Sequence, residues 1–442
     1  MPSAPKPDLS RLAIGYLIQD YPPEGGAGAA RAAEMSARWL ARGASVTVVT
    51  GMPNRRLANR ADGDLLPEYR GRVFAEESRD GVRVLRSWAY TTPRKSFSRT
   101  IANNVSFMVS AAAHALVKLG RPDVLIASSP PFLPHVTGRV VARARQIPLV
   151  LEIRDLWPDY LVGMGLLDAN GLAARSLLAL EAALLKSAAH VVVVTESFRK
   201  RIIEKGVEAQ RVSVISNGVD ATVYRPEIAQ PPISALERKP SDFLVGYLGT
   251  FGAGQSLTTM VDVAAILVTE APEVKLVLVG EGPDWNRVKA RAEVAALPNL
   301  VIQRSIEREK TRAFYNSLDV CLVPLSPIPV FQETVPSKIF EAMACGRPVL
   351  ASLRGEAAAI VKASGGGITA EPGDTRAIAD AIRKLHALSP EARTAMGARG
   401  REYVIANYGR GNLADRYYEI LESATSERRV LQSNPLAPGV LS

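Results

Sequence analysis

Residues 331–350 read FQETVPSKIFEAMACGRPVL, and this stretch decides how the rest of the chain is understood. Pro336 has a preset φ and no backbone N–H, which suits the first turn of a helix, and Gly346 followed by Arg347-Pro348 supplies a stop. An apolar run at 319–325 precedes this helix and another at 349–352 follows it. Strand, helix, strand is the unit of a parallel sheet, and ligands bind at the carboxyl edge of such sheets. Glu333 falls just outside the helix and Glu341 well inside it. At a helical rise of ~1.5 Å per residue their separation spans roughly 12 Å, about the distance from a hexose to a ribose across a diphosphate. An ionised carboxylate offers acceptors only and can take hydrogen bonds from a sugar diol, while the free N–H groups between the two glutamates face phosphates. Two glutamates at this spacing are also a common pattern of solvated surface charge, so the flanking strands carry the functional reading.

Working outward, the same alternation repeats on both sides. Apolar runs at 12–18, 46–50, 82–87, 124–128, 149–153, 191–195 and 212–216 read as strands covered on both faces. Helical patterns lie between them at 29–41, 98–118, 134–145, 172–187 and 198–204. A Pro-rich, charged and aperiodic stretch at 223–242 reads as a linker. A second series follows at 243–248, 274–279, 300–303, 320–325 and 349–352. The fold class is therefore α/β, with two doubly wound Rossmann-like domains facing a central cleft. The expected boundaries are 1–222 for the first domain, 223–242 for the linker and 243–407 for the second domain. A terminal helix at 408–424 and a flexible tail at 425–442 complete the chain.

Length and composition agree with two cores: 442 residues, 47% of them hydrophobic. The two cysteines, Cys321 and Cys345, lie in apolar contexts without a CxxC or His/Cys cluster, so reduced core thiols are expected and no metal site. The absence of both a signal segment and an uninterrupted apolar run of about eighteen residues points to a cytoplasmic protein. A formal charge of +10 fits nucleic acid, an anionic membrane or phosphorylated substrates. Aromatics are only 6%, and no zinc-finger, RRM or KH pattern appears, which argues against nucleic acid. The segment 94–118 joins basic residues to a long apolar body and reads either as a membrane-surface helix or as a partly buried helix of the first domain.

Several turns supply polar groups at strand ends. The run 21–28, YPPEGGAG, opens a helix with Gly25 and Gly26, where backbone can approach a ligand. Its dinucleotide fingerprint is broken by Arg31 at the last glycine position, and no acidic residue closes the next strand, so NAD is disfavoured. The run 151–159, LEIRDLWPD, brings Arg154 and Asp155 abruptly out of an apolar strand, either as site residues or as a structural ion pair of Arg154 with Asp155 or Asp159. In the second half, 246–255 reads GYLGTFGAGQ, a glycine turn through Gly249, Gly252 and Gly254 to Gln255 that can cradle a diphosphate. Gly280 and Gly282 form a further turn, whose plain alternative is an ordinary strand-to-helix connection. Asn217-Gly218 is a tight turn. Asp62-Gly63-Asp64 resembles a metal-binding D-x-D only superficially, and the four histidines are scattered.

The segment ETVPSKIFEAMACGRPVL resembles the E-x7-E segment of the retaining family 4 glycosyltransferases, enzymes of the GT-B type. The resemblance runs from about residue 12 to 421. The R-D-L-W-P run is similar to a bacterial subgroup that includes N-acetyl-fucosamine transferases of surface-polysaccharide assembly. The resemblance implies a UDP-sugar donor with no metal, and a saccharide acceptor on a polyprenyl diphosphate, handled at the inner face of the membrane. It implies that Glu333 holds donor-sugar hydroxyls, that Glu341 holds the ribose, and that Pro336 and Ser337 line the diphosphate. It places the 21–28 loop on the acceptor side and near the donor phosphate, and the Gly280–Gly282 turn near the nucleobase. Two positions depart from the family. Arg154 and Asp155 stand where a histidine is often found, and Gln255 replaces a phosphate-binding lysine. Lys338 is the leading replacement for that charge, with Arg304 and Arg154 behind it. A non-hydrolysing UDP-sugar epimerase, a noncatalytic sugar-nucleotide sensor and a nucleic-acid binder are the rival readings.

Overall fold

The computed structural model describes residues 12–53, 67–91, 97–228, 233 and 239–433. The chain forms two compact units, one of Met1–Ile215 with Gly411–Ser442 and one of Ser216–Arg410. The first unit is built on β1 (Ala13–Leu17), β2 (Ser45–Gly51), β3 (Phe74–Arg79), β4 (Val82–Ser87), β5 (Val124–Ser129), β6 (Leu149–Ile153), β7 (His190–Val193) and β8 (Val212–Val214). Their order is β3-β4-β2-β1-β5-β6-β7-β8, and every pairing is parallel except β3 with β4. Leu149–Ile153 is buried along its whole length, as a strand covered by helices on both faces must be.

The antiparallel β3 is absent from the sequence reading. Its sequence, FAEESR, is polar and half-exposed, so it shows no apolar run. The available signal is the Asp80-Gly81 pair after it. Both residues have positive φ, 50° and 81°, which suits a two-residue hairpin turn.

The second unit contains β9 (Phe243–Thr250), β10 (Val274–Glu281), β11 (Leu300–Gln303), β12 (Val320–Pro324), β13 (Val349–Ser352) and β14 (Gly367–Ala370). The order β11-β10-β9-β12-β13-β14 is parallel throughout. β14 is a second addition, an edge strand of four half-buried residues too short to announce itself.

The 223–242 stretch belongs with the second unit where it is described. Asn316 accepts from the Glu227 N–H at 3.0 Å and donates to the Arg225 carbonyl at 2.9 Å, which fastens this segment to the unit. Residues 229–232 and 234–238 lie outside the described residues, as do Asp62-Gly63-Asp64 and 434–442. The terminal helix runs Arg410–Ser433, so the stretch from 425 to 433 is helical rather than tail. Leu413, Ala414, Tyr417, Tyr418, Leu421 and Ala424 bury one side of it in the first unit's core, and the Trp39 indole N–H donates to the Ala414 carbonyl at 3.1 Å.

The Phe97–Lys118 helix is anchored in the first unit by Phe107, Ala111 and Ala115 in the core. Its Ser98–Lys118 stretch is long and apolar enough to cross a membrane by length and composition, with mean hydropathy 1.2. Ile101, Val105, Val109 and Val117 remain exposed along its outer side.

Candidate active site

In the second unit the decisive helix is Ser337–Ala344, capped by Pro336 in an extended conformation. It ends as the sequence requires. Gly346, at φ 70°, bonds back to Met343, and Arg347 bonds back to Ala342. Glu333 caps a separate turn, Pro329–Gln332, and residues 334–336 are not helical. A uniform helical rise from Glu333 to Glu341 therefore does not apply. Proline at 336 is the reason, because the residue before it is pushed out of the helical region.

Lys338 and Glu341 lie one helical turn apart, both half-buried. The Tyr315 hydroxyl donates to Glu341 Oε2 at 2.8 Å, which fixes the carboxylate from the buried side. Lys338 Nζ stands 5.2 Å from the centre of the Tyr247 ring, in cation–π range. Burial pulls the Lys338 ammonium below the usual lysine value, opposed by the negative charge of Glu341 and by Cys321. Burial pushes the Tyr315 hydroxyl well up, aided by Glu341, so it stays a donor. Cys321 and Cys345 are free, buried thiols.

Gly249 makes this arrangement fit. Its φ of 155° is in the range that favours glycine, and a Cβ there would collide with Lys338 Cε and come within 2.7 Å of Nζ. The turn continues through Gly252, whose missing Cβ would be 3.1 Å from Gln255 Oε1, and buried Gly254, where a Cβ would lie 2.8 Å from the Phe331 ring. Gln255 is half-buried and bonds through its N–H to the Gly252 carbonyl. Gly280 and Gly282 have a structural reason of their own: a Cβ at either would run into the backbone of Gly249 or Phe251. Arg304 is exposed, paired with Glu281 at 3.1 Å and stacked 5.0 Å from the Trp285 ring centre.

In the first unit, Gly25 and Gly26 are half-buried, and Gly26 caps the Ala27–Ala41 helix. Arg154 and Asp155 follow β6. The structural ion-pair alternative is not what forms. Arg154 Nε donates to Ser128 Oγ at 3.1 Å, whereas Asp159 pairs with Lys205 at 2.5 Å, and Lys205 also meets Glu181. The Asp155 carboxyl is pushed up to about 6 by the protein packed round it, against the lowering influence of Arg154. It nevertheless remains exposed, and solvent limits that rise.

Sequence reasoning missed the polar core behind Arg154. Arg31, the residue that broke the glycine fingerprint, is buried and donates from Nε to Glu152 Oε1 at 3.0 Å and from Nη2 to the Ile215 carbonyl at 2.8 Å. Tyr16 and Ser128 hydroxyls donate to Glu152 Oε2 at 2.8 and 2.6 Å. Arg31 and Arg154 hold the Glu152 carboxyl below the usual range despite burial, the largest influence, pushing the other way. The available signal was a carboxylate inside an otherwise apolar strand, which must have a partner.

Among the described residues, no group of three or more His, Cys, Asp or Glu is arranged to hold a metal ion.

Residues 26–218 match the glycosyl transferase 4-like domain, and residues 242–387 match the glycosyl transferases group 1 domain. The probable glycosyltransferase WbjE of Pseudomonas aeruginosa is 23% identical over 345 residues, 76% of this chain and 84% of that protein. The putative colanic acid biosynthesis glycosyl transferase WcaI of Escherichia coli is 25% identical over 224 residues, 49% of this chain and 54% of that one. Among solved structures, HepE from Anabaena in complex with UDP-glucose superposes with a TM-score of 0.66 at 17% identity, over 93% of this chain and all of that one. That likeness establishes the shared fold.

Proposed function

From the premise that this chain is a glycosyltransferase of the GT-B, family-4-like type, we propose that it moves a sugar from a UDP-sugar to a hydroxyl of a lipid-linked saccharide, with retention at the anomeric carbon. The acceptor is a polyprenyl-diphosphate-linked glycan of cell-surface polysaccharide synthesis, and the sugar is an N-acetylated amino sugar of the fucosamine kind. The observation that carries the donor assignment is the seating of Lys338 against Gly249, between Glu341 and the Tyr247 ring. A half-buried cation beside a glycine turn is what a metal-free site needs to offset charge on a departing diphosphate.

In this reading Glu341, oriented by Tyr315, accepts from the ribose hydroxyls and Glu333 from hydroxyls of the donor sugar. Pro336, Ser337, Gly252, Gly254 and Gln255 line the diphosphate. Gly280, Gly282 and Arg304, stacked on Trp285, flank the nucleobase. In the first unit, Gly25, Gly26, Arg154 and Asp155 are assigned to substrate binding. The acceptor oxygen bonds to the anomeric carbon as the bond from that carbon to the diphosphate breaks. The leaving diphosphate keeps the bonding electron pair, and one of its oxygens takes the acceptor proton. WcaI, by its name a colanic acid biosynthesis enzyme, and HepE, solved with UDP-glucose, support the pathway class and the donor.

The exposed stripe Ile101, Val105, Val109 and Val117 supports seating of the enzyme on the inner face of the cell membrane, where a polyprenyl carrier resides. Replacing Val105 and Val109 by Glu should abolish cosedimentation with anionic liposomes.

The test of the central reading is a screen of UDP-sugars for protection against thermal unfolding, followed by product analysis. One UDP-sugar should raise the melting temperature selectively and be transferred to a lipid diphosphate saccharide. Epimerised sugar nucleotide in the absence of acceptor would replace the reading with an epimerase, and binding without turnover on any acceptor would replace it with a sensor.

A further inference from the structure

We propose that Ser128 and Glu152 are positioning residues for Arg154, and that the guanidinium they hold receives a phosphate oxygen of a diphosphate-bearing substrate. The inference rests on the glycosyltransferase reading for the class of substrate, and on geometry for everything else.

The Ser128 hydroxyl hydrogen is committed to Glu152 Oε2 at 2.6 Å, so its lone pairs are what it offers to the Arg154 Nε–H at 3.1 Å. Glu152 cannot turn away, because Arg31 and Tyr16 hold its two oxygens at 3.0 and 2.8 Å. All four supporting side chains, Tyr16, Arg31, Ser128 and Glu152, are essentially inaccessible to solvent. A buried carboxylate is expensive to maintain, and Arg31 alone would neutralise it. The network thus carries one positive charge beyond neutrality, and it is located on Arg154.

The far end of that side chain is uncommitted. Among the described residues, neither terminal nitrogen of Arg154 has a hydrogen-bond or ion-pair partner, although Asp155 is its neighbour in sequence. Both nitrogens lie over Gly28: a Cβ at that position would collide with Nη1 and come within 2.7 Å of Nη2. The absent side chain at 28 therefore provides the seat. Anchored by Nε with two N–H edges free, Arg154 presents the fork that suits phosphate oxygens.

The experiment is a double-mutant cycle read by calorimetric titration with two probes: UDP for the donor, and farnesyl diphosphate for a lipid diphosphate. Arg154→Ala should weaken one probe about tenfold, and the probe affected identifies which substrate supplies the phosphate. Ser128→Ala should weaken the same probe about threefold to tenfold, and in the Arg154→Ala background it should have no further effect. Gly28→Ala, which drives the guanidinium from its seat, should show the same dependence and keeps the test decisive if Ser128→Ala folds poorly. Losses that multiply in the double variants, or unchanged binding of both probes by Arg154→Ala, would overturn the inference while leaving the enzyme class intact. Wild-type protein that binds farnesyl diphosphate through Arg154 but does not bind UDP would uphold the inference and refute the UDP-sugar donor.

Discussion

Each unit lays the head of a basic side chain over a glycine, yet the two supports are built in opposite ways. In the first unit Arg154 rises from a strand end and is steadied by a hydroxyl whose carboxylate partner is sealed in the core behind it. In the second, Lys338 sits on a helix, one turn from the carboxylate that partly balances it, and rests on an aromatic face. The Glu152 charge is already spent on Arg31, whereas Glu341 bonds only to a neutral tyrosine in the described structure and keeps acceptor capacity for a ligand. A carboxylate near a cation thus means scaffold in one unit and binding group in the other. What separates the two roles is whether a second cation has claimed the carboxylate.

The comparison is most exposed to failure at Lys338. Lys338→Ala should lower turnover by about 10²–10³, the scale on which removal of a preorganised charge-stabilising group acts. Near-normal steady-state rates in a folded variant would mean that the leaving charge is met elsewhere. Glu341→Ala comes next, at roughly tenfold to hundredfold, corresponding to about 1–3 kcal/mol for hydrogen bonds to a charged acceptor. Its loss should appear in nucleotide affinity, while Tyr315→Phe should show a smaller loss in the same direction.

His135 is buried in the first unit, its Nε2 3.3 Å from the Glu152 carbonyl, and burial pulls it down to about 4. A depressed value means that stability is fully present above about pH 6.5 and is lost as pH falls toward 4, because the unfolded chain takes up the proton first. Near pH 5 the loss amounts to roughly 2 kcal/mol. Asp155, pushed up to about 6, acts in the opposite direction over the same window. The clean measurement is therefore the difference in urea stability between wild type and His135→Gln at pH 7 and pH 5, which should narrow as pH falls. A constant difference would show that His135 does not titrate with unfolding.

The smallest effect compares the two glycines directly. Gly28→Ala displaces only the flexible end of Arg154, whereas Gly249→Ala displaces Lys338 and also forces a φ of 155° on a side-chain-bearing residue. Stability should change little in the first variant and fall by about 1–3 kcal/mol in the second. Equal melting temperatures would remove the distinction.

Much of the fold was legible because burial writes itself into composition. Strands covered on both faces must be largely apolar, as 149–153 is apart from Glu152 and 274–279 apart from Lys275, and glycine and proline mark where they stop. The elements that escaped, β3 and β14, are half-exposed edge strands under no such demand. The site divides in the same way. Lys338 and Glu341 were readable from their spacing on one helix. Tyr315 was not, because its bond to Glu341 joins residues 26 apart.

By itself the sequence determined the alternation of strand and helix, the stop at Gly346 and the motif that places the chain among the glycosyltransferases, since each depends on residues close together in the chain. Only tertiary structure decided that Arg31 belongs to Glu152, that Ser128 stands between Glu152 and Arg154, and that glycines 28 and 249 are seats for cations. Those pairings connect strands and helices 24 to 126 residues apart, and no local pattern encodes which of many polar groups will meet once the core has closed.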